Sequence, residues 1–71
     1  MKLKTYEQLW SAAVDAAIEW IQRGDNMTPD QRRNFYAQIE ELAKWTEEYQ
    51  GHVRTRVMMD AVDILNRNSR G

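Results

Sequence analysis

The chain has 71 residues, no cysteine, one histidine and a formal net charge of −1. A chain this short forms one domain with a small core, and its composition excludes disulfides and an ordinary Cys/His zinc site as sources of stability. The balanced charge lacks the basic excess of a typical nucleic-acid binder. We therefore expect residues 1–71 to form a single domain that gains stability by self-association.

Breakers of regular structure are rare, since glycine occurs only at positions 24, 51 and 71 and proline only at position 29. This distribution predicts an all-α protein. The first predicted helix covers residues 5 to 23, because Thr5 and Gln8 have the spacing of a capping box and Gly24 can end the helix after Arg23. A narrow polar stripe runs along it, consisting of Gln8, Ser11, Asp15, Glu19 and Gln22. The remaining surface is largely apolar, so this helix is expected to contact more than one neighbour.

The second predicted helix begins at Pro29, after a turn over residues 24 to 28. Thr28, Pro29 and Gln31 combine an N-cap threonine, proline at the first helical position and a second capping box. A connection this short usually joins antiparallel neighbours, so the first two helices are predicted to form a helical hairpin. The apolar stripe of the second helix contains Phe35, Ile39, Leu42, Trp45 or Thr46, and Tyr49.

Gly51 leaves two architectures open. A helix that stopped there would place Glu47 and Glu48 at a C-terminus and Arg54 and Arg56 at an N-terminus, which both helix dipoles disfavour. This favours one long helix, at most kinked at Gly51, from residue 29 to about residue 66, with a tail over residues 67–71. Such a helix would be about 57 Å long and would outreach the first helix, so the chain would dimerise into a helical bundle. The alternative is a compact three-helix bundle.

The second half of a long helix would expose apolar side chains, and an apolar surface of this extent usually marks an interface. A second copy of the chain is the simplest partner, which predicts a homodimer. The predicted oligomer interface consists of Val53, Val57, Met58, Ala61, Val62, Ile64 and Leu65.

Three arginines near the predicted turn form a candidate anion site. Arg32 and Arg33 lie in the first turns of the second helix, where the dipole favours an anion, and Arg23 lies across the turn. They are candidates for binding a phosphate or an acidic protein surface. The alternative is that Asp25, Asp30 or a glutamate of another chain neutralises them.

Two aromatic residues are candidate partner-binding anchors. Trp20 borders the polar stripe of the first helix, and Tyr36 lies beside Phe35, off the main apolar stripe. Trp, Tyr and Arg dominate the hot spots of protein interfaces. The alternative is that both rings seal the hairpin, with a polar tip in water.

Catalytic groups are sparse. Without cysteine there is no thiol chemistry, and His52 would have to serve every role of a base or ligand. Glu48 and His52, four residues apart, could share a metal only if symmetry doubled the pair, and a surface contact is the simpler interpretation. We predict no enzymatic activity, no metal and no cofactor.

A nucleic-acid surface is the alternative function. It would use arginines and lysines gathered by symmetry, namely Arg54, Arg56, Arg67, Arg70, Lys2 and Lys4. Asp60 and Asp63 interrupt that surface.

The function we expect is that of an oligomeric helical protein, most simply a homodimer, that binds another protein and modulates or inhibits it. Small chains that act by occupying a target are frequent among bacterial and phage regulators. The charged first residues are not followed by the apolar run of a signal peptide, and the most apolar segment is too short to span a membrane. We therefore expect a cytoplasmic protein without membrane contacts.

Overall fold

The computed structural model describes residues 5–69. They form three α-helices, α1 (Tyr6–Arg23), α2 (Pro29–Thr46) and α3 (Gln50–Ser69), with one turn of 3-10 helix (Gly24–Asn26) between the first two. Each helix packs against the other two, and residues 5–69 contain no strand. The all-α prediction is confirmed, and of the two predicted architectures the compact three-helix bundle is the one observed.

Both predicted capping boxes are present. The backbone N–H of Gln8 donates to Oγ1 of Thr5 at 3.1 Å, and the backbone N–H of Thr5 donates to Oε1 of Gln8 at 3.0 Å. Thr28 and Gln31 exchange the equivalent bonds at 3.2 Å and 2.9 Å. These bonds satisfy backbone N–H groups that the first turn of a helix leaves unpaired. They fix the starts of α1 and α2.

The connection between α1 and α2 is held from several sides. Gly24 ends α1 with φ 55° and ψ −122°, a conformation that favours glycine. Met27 is buried beneath the turn. Nε2 of Gln31 donates to Oε1 of Glu19 at 2.6 Å, and the same carboxylate lies 3.5 Å from Nε of Arg23. The predicted helical hairpin therefore forms with a well-connected turn.

The preferred prediction of one long second helix is wrong, because α2 ends at Thr46. Glu47 adopts the left-handed conformation, with φ 55° and ψ 36°, and the N–H of Glu48 donates to the carbonyl of Ala43 at 3.1 Å. This bond is typical of a Schellman motif, which usually places glycine where Glu47 lies. The helix then restarts, since the carbonyl of Tyr49 accepts hydrogen bonds from the backbone N–H groups of His52 and Val53 in the first turn of α3. α3 continues to Ser69, three residues beyond the predicted end.

The charges around the break lie beside two helix ends, which is why the helix dipoles do not prevent it. Glu47 and Glu48 are unfavourable at the C-terminus of α2, but they also immediately precede the N-terminus of α3, where negative charge is stabilising. Glu48 in addition pairs with Arg56, one of the two cations counted as misplaced. Because the connection is tight, the two acids lie beside both helix ends, and their unfavourable effect on α2 is offset at α3.

The core lies where the three helices meet. It contains Leu9, Ala13, Val14, Ala16, Ala17, Phe35, Ile39, Leu42, Ala43, Val53, Val57 and Ala61. The small residues of α1 allow both neighbours to approach, which fulfils the expectation that this helix packs on more than one side.

Part of the predicted oligomer interface is core instead. Val53, Val57 and Ala61 are buried within the chain, because the break before Gln50 lets α3 fold back onto α1. Three further members of the predicted interface are partly buried, namely Met58, Ile64 and Leu65, whereas Val62 is exposed. The apolar surface that seemed to need a second chain is therefore largely covered by this one.

Candidate functional site

The predicted arginine group is not drawn together into one site. Arg23 pairs with Glu19 on α1, and Nη1 of Arg33 lies 3.6 Å from Oδ1 of Asp30 on α2. Arg32 is exposed and forms no ion pair with residues of the described range 5–69. The neutralising role proposed for Asp30 is thus observed, and anion binding by these arginines stays a prediction.

Trp20 and Tyr36 have different environments. The Trp20 ring is partly buried and packs against Phe35, at a centroid distance of 5.3 Å, and edge-on against Tyr36 at 5.8 Å. Trp20 therefore seals the hairpin, as its alternative interpretation proposed. Tyr36 covers it from outside and remains 50% exposed. Of the two predicted anchors, Tyr36 is the more accessible to a partner.

Tyr36 lines a cleft of about 430 Å³ between α2 and the start of α3, which we name the tyrosine cleft. Its lining residues are Tyr36, Ile39, Glu48, Tyr49, Gln50, Gly51 and Arg54. Ile39 is buried and gives the cleft an apolar base. Tyr49 is 73% exposed. The break between α2 and α3 thus brings two exposed tyrosines, distant in sequence, to one concave surface.

Gly51 determines where the Tyr49 ring lies. A Cβ atom at position 51 would be 2.7 Å from Cε2 of Tyr49, closer than van der Waals contact allows. The ring also meets the His52 ring edge-on, with centroids 5.5 Å apart. Glycine therefore leaves the space in which the Tyr49 ring lies across the first turn of α3.

The lining of the cleft carries one acidic and one basic side chain, Glu48 and Arg54. Arg54 forms no ion pair within the described part of the chain, whereas the carboxylate of Glu48 is occupied by Arg56. Arg32 lies four residues before Tyr36, on the same side of α2. Tyrosine and arginine are among the side chains that dominate binding hot spots, and the cleft presents two tyrosines and an arginine over an apolar base. The cleft suits an acidic partner with an apolar anchor.

Sequence reasoning missed Tyr49 and Arg54 as neighbours of Tyr36. It assigned Tyr49 to the buried stripe of a continuous helix, and once α2 ends at Thr46 that periodicity no longer applies to it. Trp45, assigned to the same stripe, is 57% exposed and lies beside Tyr6, with ring centroids 6.5 Å apart. The sequence signal that could have identified this site is the occurrence of Tyr49, Gly51 and Arg54 within six residues.

The arginines of the predicted nucleic-acid surface are partly engaged. Arg56 pairs with Glu48, and Nη2 of Arg67 lies 2.7 Å from Oδ2 of Asp63. Arg70, Lys2 and Lys4 lie outside the described residues. Residues 5–69 contain no group of three or more His, Asp or Glu side chains placed to hold a metal ion. None of their helices combines the length and apolar character needed to cross a membrane.

No protein-family model matches the chain, and comparison with curated proteins and with solved structures gives no match either. Function therefore has to be inferred from the surface of the chain itself.

Proposed function

We propose that this is a small cytoplasmic regulator of bacterial or phage type, without catalytic activity, that binds another protein at the tyrosine cleft and modulates or inhibits it. The observation that supports this proposal is the pairing of Tyr36 and Tyr49, 50% and 73% exposed, in one cleft with Arg54. Exposed aromatic rings are unfavourable in water. Their concentration in a concave surface that also carries an arginine is typical of a binding site.

The chemistry of the cleft suggests the kind of partner. An acidic side chain of the partner would meet Arg54, and an apolar or aromatic side chain would enter between the tyrosines above Ile39. Arginine also binds carboxylates in a planar, bidentate geometry. We infer that the partner presents a protein segment with acidic and apolar residues side by side.

The decisive experiment compares Tyr49→Ala with Trp45→Ala. The tagged chain is purified from its source cells after nuclease treatment, and the protein that copurifies is identified and titrated against each variant. Tyr49→Ala should weaken binding by about 2 kcal/mol, the size of a hot-spot truncation. Trp45→Ala removes an aromatic ring of similar exposure outside the cleft and should leave the affinity unchanged. Equal affinities for both variants would refute the assignment of the cleft.

Salt separates this proposal from the nucleic-acid alternative. A contact anchored by tyrosines should persist at about 0.5 M salt, where surface charges are largely screened. Binding to nucleic acid should instead fall steeply with salt and disappear on nuclease treatment. If the copurifying partner is lost both at about 0.5 M salt and on nuclease treatment, the nucleic-acid alternative is favoured.

A further inference from the structure

The exposed side of α3 carries a regular stripe with spacings of four, three and four residues, consisting of Thr55, Met59, Val62 and Asn66. Met59 is 67% exposed and Val62 is 45% exposed. They line an open groove of about 450 Å³ that also includes Met58 and Asp63. This groove shares no residue with the tyrosine cleft.

The stripe is distinct from the part of α3 that forms the core. Val53, Val57 and Ala61 already supply the buried side of the helix. A second line with alternating spacings of four and three residues and apolar residues at its centre has the spacing of a coiled-coil seam, in which a second helix packs along the line. α3 therefore has one side for its own chain and one side suited to another helix.

We propose that the outer side of α3 pairs with the same surface of a second copy of the chain, with the two α3 helices antiparallel. The twofold axis would pass between Met59 and Val62. Met59 would then pack against Val62 of the partner subunit, and Thr55 against Asn66 of the partner subunit, with both contacts repeated by symmetry.

Charge complementarity selects this arrangement. Arg56 follows Thr55 and Asp63 follows Val62, so the two charges flank the stripe on the same side, seven residues apart. In an antiparallel pair, residues at this flanking position approach each other across the seam. Arg56 therefore faces Asp63 of the partner subunit, and the same pair forms a second time by symmetry.

A parallel pair lacks this match. The flanking position that carries Arg56 and Asp63 would then face the other flank, which carries Met58 and Leu65, and the charges would have no counterpart.

In the antiparallel pair both charges remain at the rim, where their side chains are 47% and 54% exposed and already pair with Glu48 and Arg67 of their own chain. These charge pairs determine the relative direction of the two helices more than the affinity of the dimer. The seam has Met59 and Val62 at its centre and polar ends, so a dissociation constant in the micromolar range is expected.

The first test is the mass in solution over a concentration series, by light scattering or sedimentation equilibrium. The full chain should pass from monomer to dimer mass as its concentration rises through the micromolar range. Val62→Glu places a charge in the seam and should raise the dissociation constant at least about tenfold. Ile21→Glu changes an apolar residue of 37% exposure on α1 and should leave it unchanged. Circular dichroism should show that both variants remain folded.

The second test uses the two charges. Arg56→Asp places two acids against each other across the seam, and Asp63→Arg places two arginines, so each variant alone should be monomeric at concentrations where the wild type dimerises. An equimolar mixture restores opposite charges at both pairs and should give a heterodimer. The matched control reverses the pair of Lys44 and Glu40 on α2, which should not change the mass.

The outcomes are decisive in each case. A wild type that stays monomeric to high-micromolar concentration would overturn the proposal. A dimer that tolerates Val62→Glu would mean that another surface is used, which overturns it equally. Single charge variants that dissociate but do not recombine in the mixture would exclude the antiparallel direction. Recombination supports the proposal, because only complementary charges across a twofold seam predict it.

Discussion

Nε1 of Trp10 donates a hydrogen bond of 2.9 Å to Oδ2 of Asp60, and this bond joins α1 to α3 across fifty residues of sequence. Both groups are partly buried. The Tyr6 ring lies against the Trp10 ring, with centroids 6.1 Å apart. The bond to a charged acceptor orients the indole and links two helices that also pack together in the apolar core.

This hydrogen bond should contribute measurably to stability. Removing either partner, by Trp10→Phe or Asp60→Ala, should lower the free energy of unfolding, and a double-mutant cycle should give a coupling of about 1 to 2 kcal/mol, as expected for a bond to a charged group. Urea denaturation followed by circular dichroism measures all four proteins. Ser11→Ala, at an exposed site on α1, should change little. A coupling close to zero would mean that the bond is not formed in solution.

Glu47 should be replaceable by glycine with a gain in stability. At φ 55° and ψ 36° a residue with a Cβ atom is strained, and its charge is unfavourable for the C-terminus of α2. Glu47→Gly relieves the strain, whereas loss of the charge has opposite effects on the end of α2 and the start of α3, so the free energy of unfolding should rise by about 1 kcal/mol. Glu41→Gly, at an exposed position inside α2, should instead lose about 1 kcal/mol. Loss of stability in both variants would show that the left-handed turn at residue 47 is not populated.

The sequence predicts the starts of helices better than their relation to one another. Capping boxes, Pro29 and Gly24 act locally, so α1, α2 and their turn could be predicted closely. The break at Glu47 could not be predicted, because the residue in the left-handed conformation is not a glycine and Tyr49 provides no side-chain cap for α3. Only residues 47 to 49 separate the end of α2 from the start of α3. The charges of Glu47 and Glu48 are therefore compatible with a continuous helix and with a break.

The candidate site was predictable only in part for the same reason. Tyr36 lies within a correctly predicted helix, and its position off the apolar stripe identified it as exposed. Tyr49 and Arg54 approach it only because the chain reverses at residues 47 to 49. The same reversal moved Val57 into the core and left Met59 outside, so the error in one connection changed both the cleft and the interface.

Gly51 should prove to be a positioning residue for the tyrosine cleft. Gly51→Ala should be neutral or slightly stabilising for α3, because alanine favours the helix, but its Cβ must displace the Tyr49 ring, whose Cε2 lies 2.7 Å away. We expect partner affinity to fall about tenfold, or about 1.4 kcal/mol, with chemical-shift changes confined to residues around Tyr49. Gly24→Ala should give the opposite result, because no atom lies within 4 Å but φ is +55°. It should lose stability and leave the cleft unchanged.

The two sides of α3 should respond differently to the same truncation. Val57 is fully buried, with 0% exposure, whereas Val62, five residues later, is 45% exposed. Val57→Ala should lower the free energy of unfolding by about 2 kcal/mol, since it removes two methyl groups from a packed core and leaves a cavity. Val62→Ala should change it by less than about 0.5 kcal/mol at concentrations where the chain is monomeric. Denaturation in urea at low protein concentration measures both. Equal losses would imply that α3 packs in another rotation, because the face of α3 that meets α1 decides which valine is inside.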